Sequence, residues 1–395
     1  MKTPYPLQWL AGIASLILSG FSKKDPRLIV LTSFHGDGYR GNTKILFEAL
    51  QDHPELNAVW LSRNHTLVKE LRNTFGEQKA FLAHSPAGLK KLASASVLLF
   101  THGTSDFPFL TMPRHSVRIQ TYHGLPTKRG EYLRPKNDRR PNFLHRLILQ
   151  YRFNPISLFL SSSAPVTKIF SRRFGLPEDR FAETGYPCYD PLVNGRPDPH
   201  LLDNTWPGLP EYNSVILYSP TFRQFSKTRW FPFDDFNLKR LADFLEKEKI
   251  LLLLRPHPND KINLSDYLKA SPRIRNAGQK NFEDVYKLLM LTDAIITDYS
   301  SIYIEGLLRD IPSLFIPYDI DSYERGLAFP YDETTPGDKV HNFEAFTGSL
   351  QKIVTGRYDY REEMEKVKSL FFSNPDGNAT GRVIDLIEEI TLSGK

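Results

Sequence analysis

The sequence predicts an α/β protein made of two Rossmann-like halves that face a central cleft, followed by a C-terminal helix. Three observations predict it. Short apolar, β-leaning runs alternate with helical patterns along most of the 395 residues, as in parallel sheets covered by helices. Many of these runs open into a polar loop, and strand ends of this kind are where open α/β sheets bind ligands. Between the two series, residues 194–213 are rich in Pro, Gly, Asn and Asp and read as a linker. The expected divisions are 1–27, 28–193, 194–213, 214–375 and 376–395.

Leu7 to Phe21 is apolar but fifteen residues long, short of the ~20 needed to span a bilayer. Trp9 at one end and Lys23-Lys24 at the other fit a helix lying at a membrane surface, with a buried helix as the alternative. A signal peptide fits less well, because a strand begins almost at once. That strand, Leu28 to Thr32, leads into a loop with three glycines, Ser33 to Asn42, and a helix from Thr43 to Leu50. The loop has neither the G-x-G-x-x-G spacing nor a Walker lysine, so it is weak evidence for a nucleotide site. Strands follow at 58–61, 97–101, 117–121, 158–161 and 180–184, with helices at 67–75 and 86–94.

In the second series, strands are expected at 215–218, 250–254, 294–297 and 314–316. Helices are expected at 237–248, directly after Ser301, and at 379–390. The stretch from Leu288 to Tyr318 is the plainest unit: strand, Asp298-Tyr-Ser300-Ser301 turn, helix, strand. A helix start after a strand offers free N–H groups and a positive dipole end suited to phosphate. Ser300 and Ser301 add two hydroxyls. Asp298 and Ser300 could equally serve only as helix caps.

Composition narrows the class. Hydrophobic content of 40% supports full cores, and one cysteine, Cys188, excludes an internal disulfide or a multi-cysteine metal site. Net charge is +6, yet residues 113–180 hold fourteen Lys/Arg against four Asp/Glu, so the rest of the chain is acidic. Such a segment suits a polyanion or an anionic membrane. No zinc-finger spacing or helix-turn-helix pattern points to nucleic acid. Metal chemistry has little support: the one D-x-D, Asp319-Ile-Asp321, reads as a surface loop. No cofactor is expected.

Two histidines sit just past strands, His123 and His257, each with a cation nearby, Lys128 or Arg255. Imidazole there can take a proton from a hydroxyl or help to bind a diphosphate. Either one alone could be a hydrogen-bonded loop residue.

An ordered series of motifs resembles the CDP-glycerol glycerophosphotransferase family of teichoic acid polymerases and primases. It runs through GDGYRGNTK, QTYHGLPTK, TGYPCYD, ILYSPTFR, LLRPHP, DAIITDYSSIYIE, Tyr-Glu-Arg-Gly at 323–326, Pro336-Gly337 and DGNATGRV. The resemblance implies a GT-B-like fold, with a first domain for acceptor and membrane and a second for the nucleotide donor. It implies transfer of a polyol phosphate from CDP-glycerol or CDP-ribitol to a lipid-linked polymer with release of CMP, at the cytoplasmic face of the membrane. His123 and His257 look like the paired catalytic histidines. Gly124, Leu125, Pro126, Thr127, Lys128, Pro220, Thr221, Arg223, Arg255, Pro256, Asp298, Ser300, Ser301 and Glu305 form the expected donor set. Glu305 stands where the family usually has Asp. Cys188 replaces the usual arginine of Gly-x-Pro-Arg-x-Asp, and Arg129 or Arg223 is the expected substitute. Two alternatives remain: a nucleotide-sugar glycosyltransferase, and a non-catalytic polyanion- or membrane-binding envelope protein.

Overall fold

A computed structural model describes residues 5–128, 155–223, 227–260, 262–323 and 326–392. Arg129, the middle of the basic stretch 113–180, and Glu324-Arg325 of the Tyr-Glu-Arg-Gly motif lie outside them. The chain divides into two compact units. The first takes residues up to Gly124, those from 155 to Asp190, and the chain from Ser373 onward. The second takes 125–128 and Pro191–Phe372. The boundary at Asp190/Pro191 falls just ahead of the stretch 194–213, and the C-terminal helix is grouped with the first unit.

The first unit is built on a parallel seven-stranded sheet of order β3-β2-β1-β4-β5-β6-β7. Its strands are β1 (Asp25–Leu31), β2 (Asn57–Ser62), β3 (Ala80–Leu82), β4 (Ala95–Phe100), β5 (Val117–Gln120), β6 (Leu158–Leu160) and β7 (Phe181–Ala182). Near-continuous apolar runs such as Leu28-Ile-Val-Leu31 are what a strand covered on both faces requires, and these four residues are buried. The principal helices are α1 (Tyr5–Phe21), α2 (Asn42–Ala49), α3 (His65–Phe75), α4 (Pro86–Ser94) and α5 (Ala164–Phe174). Side-chain oxygens of Asn64, Ser85 and Ser163 cap the last three. β3 and α5 have no counterpart among the expected elements. β3 is only three residues long, too short to show a period.

The second unit carries a parallel five-stranded sheet of order β10-β9-β8-β11-β12. The strands are β8 (Ser214–Tyr218), β9 (Ile250–Leu254), β10 (Ile274–Asn276), β11 (Ala294–Thr297) and β12 (Ser313–Phe315). Its main helices are α6 (Leu238–Lys247), α7 (Ile302–Leu307), α8 (Phe343–Val354) and α9 (Arg361–Phe371). The last helix, α10 (Ala379–Leu392), belongs to the first unit. In both sheets the strand order reverses beside the first strand, at β1/β4 and at β8/β11. Such a reversal opens a crevice at the carboxyl ends of the strands.

The helix α1 is inverted relative to an ordinary surface helix. Gln8, Ala11 and Ser15 are buried against the unit, next to α4. Ser15 Oγ accepts the Thr111 N–H at 2.9 Å. A Cβ on Gly12 would come within 2.5 Å of the Phe109 carbonyl, so only glycine permits this approach. Trp9, Leu10, Ile13, Leu16, Ile17 and Phe21 face outward at 56–87% exposure. The helix is therefore not buried, and among the described residues its apolar face is largely exposed. No helix among the described residues is long and apolar enough to cross a membrane.

Candidate functional site

In the first unit, three loops meet at the carboxyl edge of the sheet. The loop after β1 turns through left-handed backbone at Phe34, His35 and Gly36, φ 47°, 63° and 76°. Two non-glycine residues in that region cost energy, which surrounding bonds must offset. Asp106, whose side chain is wholly buried, supplies them: Oδ1 accepts the His35 N–H, and Oδ2 accepts those of Thr101 and His102. The Phe34 N–H donates to Thr101 Oγ1 at 3.0 Å.

This scaffold gathers imidazoles. His123 follows β5, and its ring stacks on His102 with centroids 4.2 Å apart and planes 2° apart. His35 lies 4.6 Å from His102 on centroids. His35 and His102 stand at strand ends that are distant in the sequence, and their meeting depends on β1, β4 and β5 being close in the sheet. His123 is exposed to solvent. Even so, the atoms packed round the ring push its pKa down to about 4, chiefly by desolvation and then through His102. A hydrogen bond to the Thr101 carbonyl and the Asp106 charge oppose the shift, and Arg173 adds to it.

Asn42 is a further residue the sequence left unassigned. It is buried, its Nδ2 donates to the carbonyls of Thr121 and Tyr122, and its Oδ1 accepts the Cys188 N–H. It thus ties the approach to His123 to the Gly185–Asp190 loop. Cys188, where an arginine was expected, is buried. Arg382 comes close to Gly185, but it donates to Thr184 O, Asp376 and Asn374 O. Asp190 accepts the N–H groups of Ala379 and Thr380 and so caps α10.

In the second unit the expected residues separate into an inner support and an outer surface. Arg223, expected among the donor contacts, is held inside the unit. It is 2% exposed and turned inward. Nε and Nη2 donate to Asp319, Nη2 also to Asp298, and Nη1 to the Thr221 carbonyl. The rings of Tyr299, Tyr318 and Tyr323 lie 5.1 Å from its guanidinium carbon. Burial works against the charge, but the two carboxylates outweigh it and raise the pKa above its ordinary value. With its donors held this way, Arg223 braces the loops and does not offer an open phosphate contact. Asp298 is likewise internal: Oδ1 accepts the Thr221 and Tyr299 N–H groups and Oδ2 the arginine. It neither caps α7 nor reaches outward. Asp319, half of the D-x-D, is occupied by Arg223. Among the described residues no group of three or more His, Cys, Asp or Glu is arranged to hold a metal ion.

Outside this core stand hydroxyls. Ser301 occupies the N-cap position of α7 without a side-chain cap bond. Neither it nor Ser300 makes a side-chain hydrogen bond, and both are half-buried. Thr221 is 4% exposed, and its Oγ1 has no partner. Pro220 is buried behind it, and Glu305 is buried on α7. Leu125 and Pro126 are buried, and Gly124 has open space where a Cβ would lie. Lys128 pairs with Leu327 in a short antiparallel bridge, and Thr127 O accepts the Ala328 N–H. Thr127, Tyr299, Tyr303 and Tyr331 wall a cavity of about 20 Å³, room for one water. The structure therefore brings Thr127 beside the Tyr299–Ser301 turn.

His257 follows β9. It stacks on Phe222 at 5.1 Å, and its Nδ1 accepts the Asn259 N–H at 3.2 Å. A neutral ring then carries its proton on Nε2 and is a donor. Pro256, His257, Asn276, Gly278, Lys280 and Asn281 are among the residues lining an open groove of about 630 Å³. Arg255 points Nη1 at the carbonyls of Ala277 and Phe282, fixing the wall of that groove. Burial lowers its pKa, and Asp284 partly offsets this.

Two parallel Rossmann-like units with polar strand-end loops place the chain among GT-B-like proteins. It superposes with a TM-score of 0.79, at 25% identity, on the wall teichoic acid polymerase TagF, in a variant soaked with CDPG. The match covers 98% of this chain and 94% of that one. The family model for CDP-glycerol:poly(glycerophosphate) glycerophosphotransferase matches residues 15–389, and the chain belongs to that family. It is 28% identical over 382 residues to the teichoic acid poly(glycerol phosphate) polymerase of Staphylococcus epidermidis, covering 92% of this chain and 51% of that protein. It is 26% identical over 393 residues to the teichoic acid glycerol-phosphate transferase of Staphylococcus aureus, covering 91% and 92%. The chain thus spans about half of the first relative's length and nearly all of the second's.

Proposed function

We propose that this protein transfers glycerol phosphate from CDP-glycerol to a hydroxyl of a membrane-linked surface polymer and releases CMP. The observation that carries the reading is the second unit's strand-end surface: unengaged hydroxyls at Ser300 and Ser301, and a buried unpartnered one at Thr221. Donors of this kind suit diphosphate oxygens. Family membership supports the same donor class. In this reading His123, with a nitrogen free of its proton, takes the acceptor hydroxyl's proton. The oxygen attacks the glycerol-side phosphorus, and His257 stabilises the charge that develops on the departing CMP.

The reading includes attachment to the membrane through α1. Its outward apolar side chains are each about half to nine-tenths exposed. Burying such side chains is worth ~1.5–3 kcal/mol apiece at full transfer. Lys23 and Lys24 follow the helix and would meet anionic headgroups.

The test is a CMP-release assay with purified protein, CDP-glycerol or CDP-ribitol, and a lipid-linked acceptor. Turnover with CDP-glycerol that collapses in both His123→Ala and His257→Ala is expected. Absence of turnover with either donor, or full activity in both variants, overturns the reading.

A further inference from the structure

We propose that His102 is a positioning residue for His123: it fixes the plane of that ring and takes the proton of the stacked pair, leaving a His123 nitrogen open to an acceptor hydroxyl. This rests on the reading above, in which His123 takes part in the transfer.

One residue orients both rings. The Thr101 carbonyl acts on the His123 ring, favouring its charged form, and the Thr101 hydroxyl lies 2.7 Å from His102 Nδ1. That hydroxyl has one proton and two lone pairs. Its proton goes to Asp106 Oδ2 at 3.0 Å, and one lone pair accepts the Phe34 N–H. The second lone pair therefore accepts from His102 Nδ1–H. A second proton on His102, at Nε2, makes a cation whose Nδ1 lies 3.8 Å from the fully buried Asp106 carboxylate. Among the described residues no carboxylate is shown so close to His123. Two imidazoles 4.2 Å apart repel each other when both are charged, so they titrate as a coupled pair. The groups that face the pair are His35 and Asp106 on the His102 side, and Tyr122 and Arg173 on the His123 side. Arg173 adds positive charge; among these groups Asp106 carries the opposing negative charge, and it stands beside His102. The downward shift of His123 agrees with this order.

The first measurement uses the native protein: a nitrogen-15 NMR titration of the histidine rings. His102 should protonate at a higher pH than His123; the reverse order overturns the proposal. The second compares His102→Phe with the native chain. Phenylalanine keeps a flat ring against His123 but cannot hold a charge. The His123 midpoint should rise by about one pH unit. In the CMP-release assay at pH 5, kcat should fall about twofold relative to the native chain and recover by pH 7, with the donor KM unchanged. An unmoved midpoint in a folded His102→Phe protein, or an equal loss at every pH, overturns the proposal. Failure of native turnover would count against the proposed function, while the titration order would still decide the role of His102.

Discussion

Replacing Arg223 by methionine asks whether this arginine holds the fold or touches the donor. The side chain donates to Asp298, Asp319 and the Thr221 carbonyl, and it is 2% exposed. Methionine keeps much of the volume but leaves two carboxylates facing each other without a cation. Breaking a buried pair by removing one partner costs about 3–5 kcal/mol. For a unit of this size, 1 kcal/mol moves Tm by about 2–4 °C, so the unfolding of the second unit should drop by roughly 6–20 °C. Asp319→Asn should cost less, because that side chain is 20% exposed and the Asp298 pair survives. A double-mutant cycle on Arg223 and Asp319, followed by chemical denaturation, should give a coupling of at least ~1 kcal/mol. The refuting result is a folded Arg223→Met protein of native stability whose affinity for CDP-glycerol has collapsed. That would make Arg223 a donor contact after all.

The serine pair should behave in the opposite way. Since neither hydroxyl bonds internally, Ser300→Ala and Ser301→Ala should leave Tm within about 2 °C and cut kcat/KM for the donor about tenfold or more. Asp190→Ala uncaps α10 and should cost ~1–2 kcal/mol in denaturant unfolding; no loss would mean that the two backbone bonds contribute nothing. Leu10→Asp with Ile17→Asp should abolish co-sedimentation with phosphatidylglycerol vesicles and leave the circular dichroism unchanged, whereas intact binding would remove α1 from the attachment. His123, His84 and His115 all have pKa values pushed below the ordinary imidazole value, each chiefly by desolvation. The unfolded chain therefore binds more protons below about pH 6.5. Their contribution to stability is complete above that pH and is lost as the pH falls towards 4. His123→Phe should flatten this part of the stability–pH curve.

Much of the architecture was legible because local signals are strong in parallel α/β chains. A strand covered on both faces must be apolar throughout, so Leu28–Leu31, Ile250–Leu254 and Ala294–Thr297 stand out from the chain around them. Loops at strand ends follow from the same pattern, which is how His123, His257, Ser300 and Ser301 could be named without coordinates. Strand order was not legible, because hydrogen bonding between β1 and β4 or β8 and β11 leaves no local trace in composition. That order decides which strand-end residues meet. It sets His102 on His123, turns Arg223 and Asp298 inward, and gives Asn42 and Asp190 structural duties that their motifs did not disclose. The sequence determined which side chains stand at the edges of the sheets; only tertiary packing decided which of them face solvent and which hold one another.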